Sequence, residues 1–173
     1  MTVMRARLSD KVLPSISTAM LPAYDRSRVT PGIVHLGTGA FHRAHQAVYV
    51  DDCLAAGDTS WGIVGASLRS PATRDALEPQ NGLYTLAVRG RDCEQLRVIG
   101  SIADLKVAPE APEELLAALC SPHIRIVSLT VSEKAYLRNA AGDLDAAHPG
   151  VIADLANPGR PQTIFGFLAE SIA

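Results

Sequence analysis

The chain has 173 residues, of which 47% are hydrophobic and 20% are charged, a composition typical of a folded domain with a sizeable core. Sixteen lysines and arginines against 18 acidic residues give a net charge of −2, so the chain lacks the basic excess that nucleic-acid binding requires. No apolar run has the length of a signal peptide or membrane span, and Cys53, Cys93 and Cys120 lie too far apart for a CxxC pair, so we expect a reduced, cytoplasmic protein with no nucleic-acid or membrane partner.

Residues 1–31 are mixed in character, and we interpret them as an N-terminal arm. A short helix is predicted over residues 15–20, with turns at Pro22 and Pro31. From residue 32 onwards the pattern becomes regular. We therefore assign residues 32–173 to one domain, which we expect to be incomplete at its C-terminal end.

A strand, a glycine turn, a helix and a second strand follow the arm. The apolar, β-branched run of residues 32–36 predicts a buried strand that stops at Gly37. Residues 41–56 predict one helix, ended by Gly57, and residues 61–68 predict the next strand. We expect the apolar face of that helix to contain Phe41, Ala44, Val48, Cys53 and Leu54. This order is a βαβ unit.

The remaining elements extend the same α/β pattern. Residues 83–90 and 93–102 predict an antiparallel hairpin appended to the sheet. A helix begins at Pro112, and residues 123–131 predict a last strand, which we place centrally in the sheet. Residues 139–161, rich in Gly, Pro, Asp and Asn, are interpreted as an ordered loop. The prediction is a Rossmann-like, doubly wound, mainly parallel sheet with an inserted antiparallel hairpin.

A final apolar helix is predicted from Thr163 to the end of the chain. We expect its apolar side chains to be exposed and to need covering by another domain, by self-association or by a partner. These side chains are Ile164, Phe165, Phe167, Leu168 and Ile172.

The turn Gly37-Thr38-Gly39 lies between a buried strand and a helix start, where free N–H groups attract a phosphate. Glycines permit both the tight turn and the close approach of a diphosphate. His42 replaces the third glycine of the usual GxGxxG pattern, so the helix should pack less closely on the strand. An ordinary strand-to-helix turn remains the alternative interpretation.

Several ordered segments resemble one enzyme family. IVHLGTGAFHRAHQAVYVDD resembles the N-terminal nucleotide-binding segment of the mannitol dehydrogenase and fructuronate reductase family, the polyol-specific long-chain dehydrogenases. The resemblance continues in family order to the C-terminus. Its later segments are WGIVGASLRS, PQNGLYTL, IVSLTVSEKAY and LDAAHPGVIADL.

The resemblance implies a dinucleotide-binding domain of an enzyme that transfers hydride, without zinc, between NAD(P) and a polyol or sugar acid. It implies that the cofactor is lined by Gly37, Thr38, Gly39, Ala40 and Phe41. The family's catalytic lysine, asparagine and histidine belong to a helical substrate domain, which we expect to be absent from this chain, so we expect no catalytic residue here. NAD is the cofactor that the family favours.

The end of the second strand bears on the choice of cofactor. A carboxylate normally holds the adenosine ribose there, but this chain has Arg69 beside a serine, which suits a 2′-phosphate. A solvated arginine is the alternative, and Asp75 lies close enough in sequence to turn inward. The sequence thus leaves NADP open.

The end of the last strand supplies four more candidate contacts, because ligands of open α/β sheets bind at the carboxyl ends of the strands. These candidates are Thr130, Ser132, Glu133 and Lys134. We expect them on the nicotinamide side, with an exposed loop as the alternative. Lys134 is not assigned as the base, because the resemblance places the base elsewhere.

Other interpretations compete with the oxidoreductase. His42 and His45 are spaced for a shared metal, but no further ligand completes a set, so no metal site is predicted. A stand-alone nucleotide-binding or regulatory module, without catalysis, is the main alternative. A methyltransferase would require an acidic residue after the second strand, which this chain lacks.

Overall fold

The structure is a computed structural model, and it describes residues 7–91 and 93–173. These residues form an α/β fold. In chain order its elements are β1 (Pro31–Leu36), α1 (Ala40–Ala44), α2 (Gln46–Ala55), β2 (Gly62–Ser67), α3 (Ala72–Leu77), β3 (Tyr84–Arg89), β4 (Glu94–Ile99), β5 (Ile102–Val107), α4 (Pro112–Leu119), β6 (Ile126–Leu129), α5 (Pro149–Ala156) and α6 (Ile164–Ile172). Short 3-10 turns occur at Leu13–Ser15, Arg26–Arg28, Thr59–Trp61, Glu78–Gln80 and Glu133–Tyr136.

The main sheet has four parallel strands in the order β5-β2-β1-β6. Ile33 of β1 pairs with Ile63 on one side and with Ile126 on the other. The chain thus leaves β1 first towards β2 and later returns to its opposite edge at β6, which is the strand order expected of a doubly wound sheet. The predicted Rossmann-like architecture is confirmed.

Apolar clusters cover both faces of this sheet. On one face, Val34 and Leu36 of β1 pack with Leu115 of α4 and with Ile164 and Phe167 of α6. The other face buries a second cluster against α2, composed of Ile33, Ala47, Val50, Leu54, Ile63 and Ile99. Burial on both faces explains why β1 and β2 have nearly continuous apolar sequences.

The predicted hairpin is present, and β3 pairs with β4 in antiparallel register from Tyr84↔Ile99 to Arg89↔Glu94. It forms a separate two-stranded sheet rather than extending the main one. Asp92, in the predicted turn, lies outside the described residues. The arm contacts this hairpin, because Met20 pairs with Arg97 in an isolated bridge.

The helix predicted over residues 15–20 is wrong. One 3-10 turn, Leu13–Ser15, occupies the start of that segment, and the chain is already extended at Ile16. Pro14 suits only a first helical turn, and the β-branched and hydroxyl residues that follow have low helix propensity. Residues 1–6 of the arm lie outside the described part of the chain.

The helix predicted over residues 41–56 is two helices, because the backbone leaves helical geometry at His45 (φ −127°, ψ −86°). The break rotates α1 relative to α2 and changes the buried face. Phe41 is 64% exposed, and Ala44 and Cys53 are exposed as well, so the predicted apolar face is wrong at these positions. The face that is buried contains His42, Ala47, Val50, Asp51 and Leu54.

Three elements were not predicted, and the first of them is the short helix α3. Strand β5 begins at Ile102, the last residue of the second hairpin segment, and lies at the edge of the main sheet. Helix α5 occupies eight residues in the middle of the predicted loop over residues 139–161. It begins with Pro149 in its first turn and is capped by His148, whose ring accepts from the Gly150 N–H at 3.1 Å. A histidine cap is outside the usual set of cap residues.

Strand β6 is an edge strand, not the predicted central one, within the part of the chain that the structure describes. Its only neighbour there is β1, and Ile126, Val127 and Leu129 are consequently exposed. Its carboxyl end still lies beside that of β1 because the two strands are parallel.

The apolar face of α6 is mostly covered by this chain's own helices α4 and α5, so the expectation of an exposed C-terminal face is wrong. Ile164 and Phe167 are buried, and Phe165 and Leu168 are half-buried. Only Ile172 of the predicted set is exposed, at 84%. The helix starts at Thr163 as predicted, and the Thr163 side chain caps it by accepting from the Gly166 N–H. Among the described residues, no helix has both the length and the apolar character that crossing a bilayer requires.

Candidate functional site

The glycine turn lies at the carboxyl edge of the main sheet, between the ends of β1, β2 and β6. Gly37 adopts φ +102°, a conformation that side chains rarely take, and its N–H donates to the Ala66 carbonyl at 2.8 Å. A Cβ at this position would lie 2.3 Å from the Thr130 carbonyl oxygen. The turn therefore requires glycine here, with β6 as its wall.

Helix α1 begins directly at this turn, with Gly39 in the N-cap position and no side chain capping the helix. The amides of Ala40, Phe41 and His42 are in the first turn and so have no partner within the helix. A Cβ at Gly39 would have only the Gly37 carbonyl oxygen nearby, at 3.8 Å. The backbone around Gly39 is therefore open to a close approach from outside.

An open cleft of about 340 Å³ faces the glycine turn. Its walls come from the turn itself, from the chain after β2 and from the chain after β6. The lining residues are Gly37, Thr38, Gly39, Ser67, Leu68, Arg69, Ser70, Ala72, Thr73, Thr130, Val131, Ser132 and Ala135. Glycines, hydroxyl side chains and one arginine, with no carboxylate, make this lining suitable for an anion such as a diphosphate.

Beneath the turn, two buried histidine rings stack. His35 of β1 and His42 of α1 are each 1% exposed, and their ring centroids are 3.7 Å apart. His35 Nδ1 is 2.8 Å from the Ser128 hydroxyl, whereas neither ring nitrogen of His42 has a hydrogen-bond partner among the described residues. The His42 ring thus occupies the space between strand and helix where the usual pattern has glycine.

Burial lowers the pKa of His35 to about 4. It lowers the pKa of His42 to about 3, with smaller contributions from the neighbouring His35 and Arg43. Both rings are therefore neutral at physiological pH, and the support beneath the glycine turn carries no charge. A charged ring there would lack a partner.

We expect folding stability to fall as the pH decreases from 6.5 towards 5. The unfolded chain protonates both histidines near pH 6.5 while the folded chain does not, so the unfolded state binds more protons in this window. Each histidine should contribute up to about 1.4 kcal/mol per pH unit. Urea unfolding at half-unit pH steps measures this slope.

His42→Phe should flatten that slope, because it removes one titrating group and keeps an aromatic ring on His35. His123→Gln is the matched control, since His123 is exposed, and should leave the slope unchanged. Equal slopes for all three proteins would contradict the role assigned to the buried pair.

The structure brings six of the ten predicted contacts to the cleft: Gly37, Thr38, Gly39, Arg69, Thr130 and Ser132. The other four lie beside it and do not line it. Ala40 and Phe41 are exposed at the start of α1, and Glu133 and Lys134 are exposed in the 3-10 turn after β6. Thr38 contributes backbone, because its side chain is buried over Gly65.

The cleft contains lining residues that the sequence analysis did not assign as contacts. Ser67 and Leu68 precede Arg69, and Ala72 and Thr73 follow in the first turn of α3. Val131 and Ala135 flank the predicted Ser132. The sequence could have indicated these residues only through their nearness along the chain, because each lies within four residues of a predicted contact at a strand end.

Asp75 does not turn into the cleft. Its carboxylate pairs with Arg74 at 2.9 Å, and the same arginine pairs with Glu110 at 2.7 Å. Arg69, by contrast, has no ion pair within the described residues and is exposed at the cleft. The end of β2 therefore presents a free guanidinium in the place where a ribose-binding carboxylate is usual.

The described residues contain no group of three or more His, Cys, Asp or Glu side chains placed to hold a metal ion. His45 is exposed, and its ring contacts the Phe41 carbonyl oxygen at 2.8 Å, while His42 stacks on His35. The two histidines spaced for a metal thus have different surroundings. The three cysteines are exposed free thiols.

A family model described as "Mannitol dehydrogenase Rossmann domain" matches residues 31–173. A mannitol 2-dehydrogenase of Pyrenophora tritici-repentis is 43% identical over 171 residues, which are 96% of this chain and 30% of that protein. The D-mannonate oxidoreductase of Escherichia coli is 41% identical over 87% of this chain and 32% of its own length. This chain therefore spans about a third of the curated relatives that it matches.

Solved structures agree with this similarity. The chain superimposes with a TM-score of 0.90 and 40% identity on Pseudomonas fluorescens mannitol 2-dehydrogenase in a ternary complex with NAD and D-mannitol, covering 96% of this chain and 35% of that one. A D-sorbitol dehydrogenase in substrate-free form gives a TM-score of 0.89 at 36% identity, with coverage of 96% and 36%.

Proposed function

The chain belongs to the mannitol dehydrogenase family, and from that premise we propose that it binds NAD(H) as the nucleotide-binding part of an oxidoreductase. The complete enzyme would transfer hydride between the nicotinamide and a polyol or sugar acid, of the mannitol/fructose or mannonate/fructuronate type. The names of its relatives support this substrate class. The free thiols support a cytoplasmic location, since reducing compartments keep cysteines unpaired.

One observation carries the proposal: an open, glycine-walled cleft stands where β1 has β2 on one side and β6 on the other. Open α/β sheets bind ligands at such a switch in strand order, outside the carboxyl ends of the strands. The positive φ of Gly37 and the open space at Gly39 fit a diphosphate held by backbone amides. A Cβ at Gly39 would occupy that space.

We assign the diphosphate to the open space over the Gly37-Thr38-Gly39 backbone and to the unpaired amides at the start of α1, because the Gly37 and Gly39 N–H groups already donate to the Ala66 and Gly37 carbonyls. Thr130 and Ser132 would stand on the β6 side, towards the nicotinamide. Ala40, Phe41, Glu133 and Lys134 remain proposed contacts, which the bound dinucleotide would reach from the rim of the cleft.

When bound, the nicotinamide ring supplies the hydride acceptor or donor. The residues of this chain bind and orient it, while the family resemblance implies that the lysine base lies in the substrate domain. The neutral His35–His42 pair keeps the floor of the turn uncharged, so it neither attracts nor repels the diphosphate. We expect binding of dinucleotide without turnover by these 173 residues.

We expect Gly39→Ala to weaken NADH binding by roughly 10- to 100-fold, because a methyl group at the turn would cost about 1–3 kcal/mol against a closely approaching diphosphate. The variant should fold, since its Cβ meets nothing closer than 3.8 Å, and should lose less than about 1 kcal/mol of stability. Calorimetric titration measures the affinity. Trp61 fluorescence would report binding poorly, because Trp61 precedes β2 and lies at the amino ends of the strands, opposite the cleft.

Gly159→Ala is the matched control, because a Cβ there meets nothing within 4 Å and Gly159 lines no part of the cleft. It should bind NADH as the unmodified chain does. If Gly39→Ala binds equally well, the diphosphate does not lie on this turn. If the unmodified chain binds neither NAD+ nor NADH, the proposed function is wrong.

A further inference from the structure

A second cleft of about 450 Å³ adjoins the first, and Leu68 lines both. It lies beyond the ends of β2 and β5, where Ala108, Pro109 and Pro112 form its apolar side. A dinucleotide whose diphosphate lies on the glycine turn therefore has its adenosine half beside residues 68–70, at the junction of the two clefts. This placement rests on the proposed function.

Neither cleft is lined by a carboxylate, although the chain has 18 acidic residues. The second cleft is lined by Leu68, Ala108, Pro109, Pro112, Ala153, Asn157, Arg160, Pro161 and Gln162. A carboxylate beside the adenosine ribose accepts bonds from both hydroxyls and repels a 2′-phosphate. Its absence from this lining removes the usual obstacle to a phosphorylated ribose.

The junction also offers two suitable phosphate ligands. Arg69 lines the first cleft and has no ion pair among the described residues, whereas neighbouring Arg74 is held by Asp75 and Glu110. A guanidinium presents paired N–H donors that match phosphate geometry. The Ser70 hydroxyl accepts from the Ala72 N–H at 3.2 Å, which leaves its own hydrogen free to donate.

We propose that this site accepts NADP(H) as well as NAD(H), with the Arg69 guanidinium and the Ser70 hydroxyl binding the 2′-phosphate. Arg69 is then the residue that determines whether the site accepts a dinucleotide with a 2′-phosphate. The remaining cation at these clefts, Arg160, pairs with Glu113 at 3.5 Å and is partly neutralised. The uncompensated positive charge at the junction is thus that of Arg69.

Calorimetric titration of the 173-residue chain with NADH and NADPH, at low and at raised salt, tests the proposal. The unmodified chain should bind both with dissociation constants within about tenfold of each other, a difference worth about 1.4 kcal/mol. Arg69→Ala should weaken NADPH binding by about 10- to 100-fold, as expected for loss of a charge-assisted hydrogen bond, and NADH binding by less than threefold. Raised salt should weaken NADPH binding more than NADH binding.

Arg89→Ala is the control, since it removes one positive charge from the exposed hairpin without touching either cleft. It should change neither affinity. Binding of NADH without measurable binding of NADPH would overturn this inference and leave the proposed function intact. An equal loss of both ligands in Arg69→Ala would also overturn it, because Arg69 would then contact a part common to both. Failure of both ligands to bind the unmodified chain would overturn the proposed function itself.

Discussion

Gly37→Ala is expected to destabilise the chain by about 3–5 kcal/mol. Two costs combine, because an alanine would be strained at φ +102° and its Cβ would lie 2.3 Å from the Thr130 carbonyl oxygen. Thr130 cannot easily move away, since its own N–H donates to the Leu36 carbonyl at 2.9 Å. Urea unfolding of the variant measures the loss.

Gly57→Ala separates the two costs. Gly57 has nearly the same backbone conformation, φ +106°, but a Cβ there meets nothing within 4 Å. Its replacement should cost only the backbone strain, about 1–2 kcal/mol. If both alanine variants lose the same stability, the β6 wall yields to a methyl group and does not fix the turn.

Asp51→Ala should cost about 3–5 kcal/mol, the range measured when one partner of a buried ion pair is removed. Asp51 is 1% exposed, and its carboxylate accepts from the Tyr24 hydroxyl at 2.5 Å, from Arg97 at 2.7 Å and from the Gly100 N–H at 2.9 Å. It thus joins the arm, α2 and the hairpin at one point. Its loss leaves the Tyr24 hydroxyl and the Gly100 N–H without their acceptor and leaves Arg97 with only the exposed Asp52.

Asp52→Ala provides a control on the next residue of the same helix. Asp52 also pairs with Arg97, at 2.5 Å, but its side chain is exposed, so solvent screens the pair. Its removal should cost no more than about 1 kcal/mol. Thermal or urea unfolding of both variants distinguishes them; similar losses would mean that Arg97, rather than the buried carboxylate, determines the stability of this junction.

The fold class was predictable because β1, the glycine turn and β2 follow local rules of apolar pattern and backbone conformation. Strand β5 was missed because Asp104 and Lys106 interrupt its apolar sequence, which an edge strand tolerates. Helix α5 was missed because His148 and Pro149 begin it in a segment otherwise rich in loop-forming residues. Both β5 and α5 are stabilised by neighbours in space, so their own sequences predict them poorly.

The candidate site was predictable only in part. Glycines and strand ends identified the cleft, because these features are local in sequence. The exposure of Phe41 depends on the helix break at His45, and the burial of His42 depends on its stacking with His35 across the strand. The absence of carboxylates from the lining depends on Arg74 holding Asp75 outside the cleft. No residue pattern along the chain encodes these tertiary relations.

The central position of β1 affects the order in which the chain folds. Ile33 pairs with Ile63, 30 residues later, and with Ile126, 93 residues later. Closing the longer loop costs about 1 kcal/mol more in chain entropy, so pairing with β2 should precede pairing with β6. Because Thr130 follows β6 and forms one wall of the glycine turn, we expect the ligand-holding turn to be complete only after β6 has paired with β1.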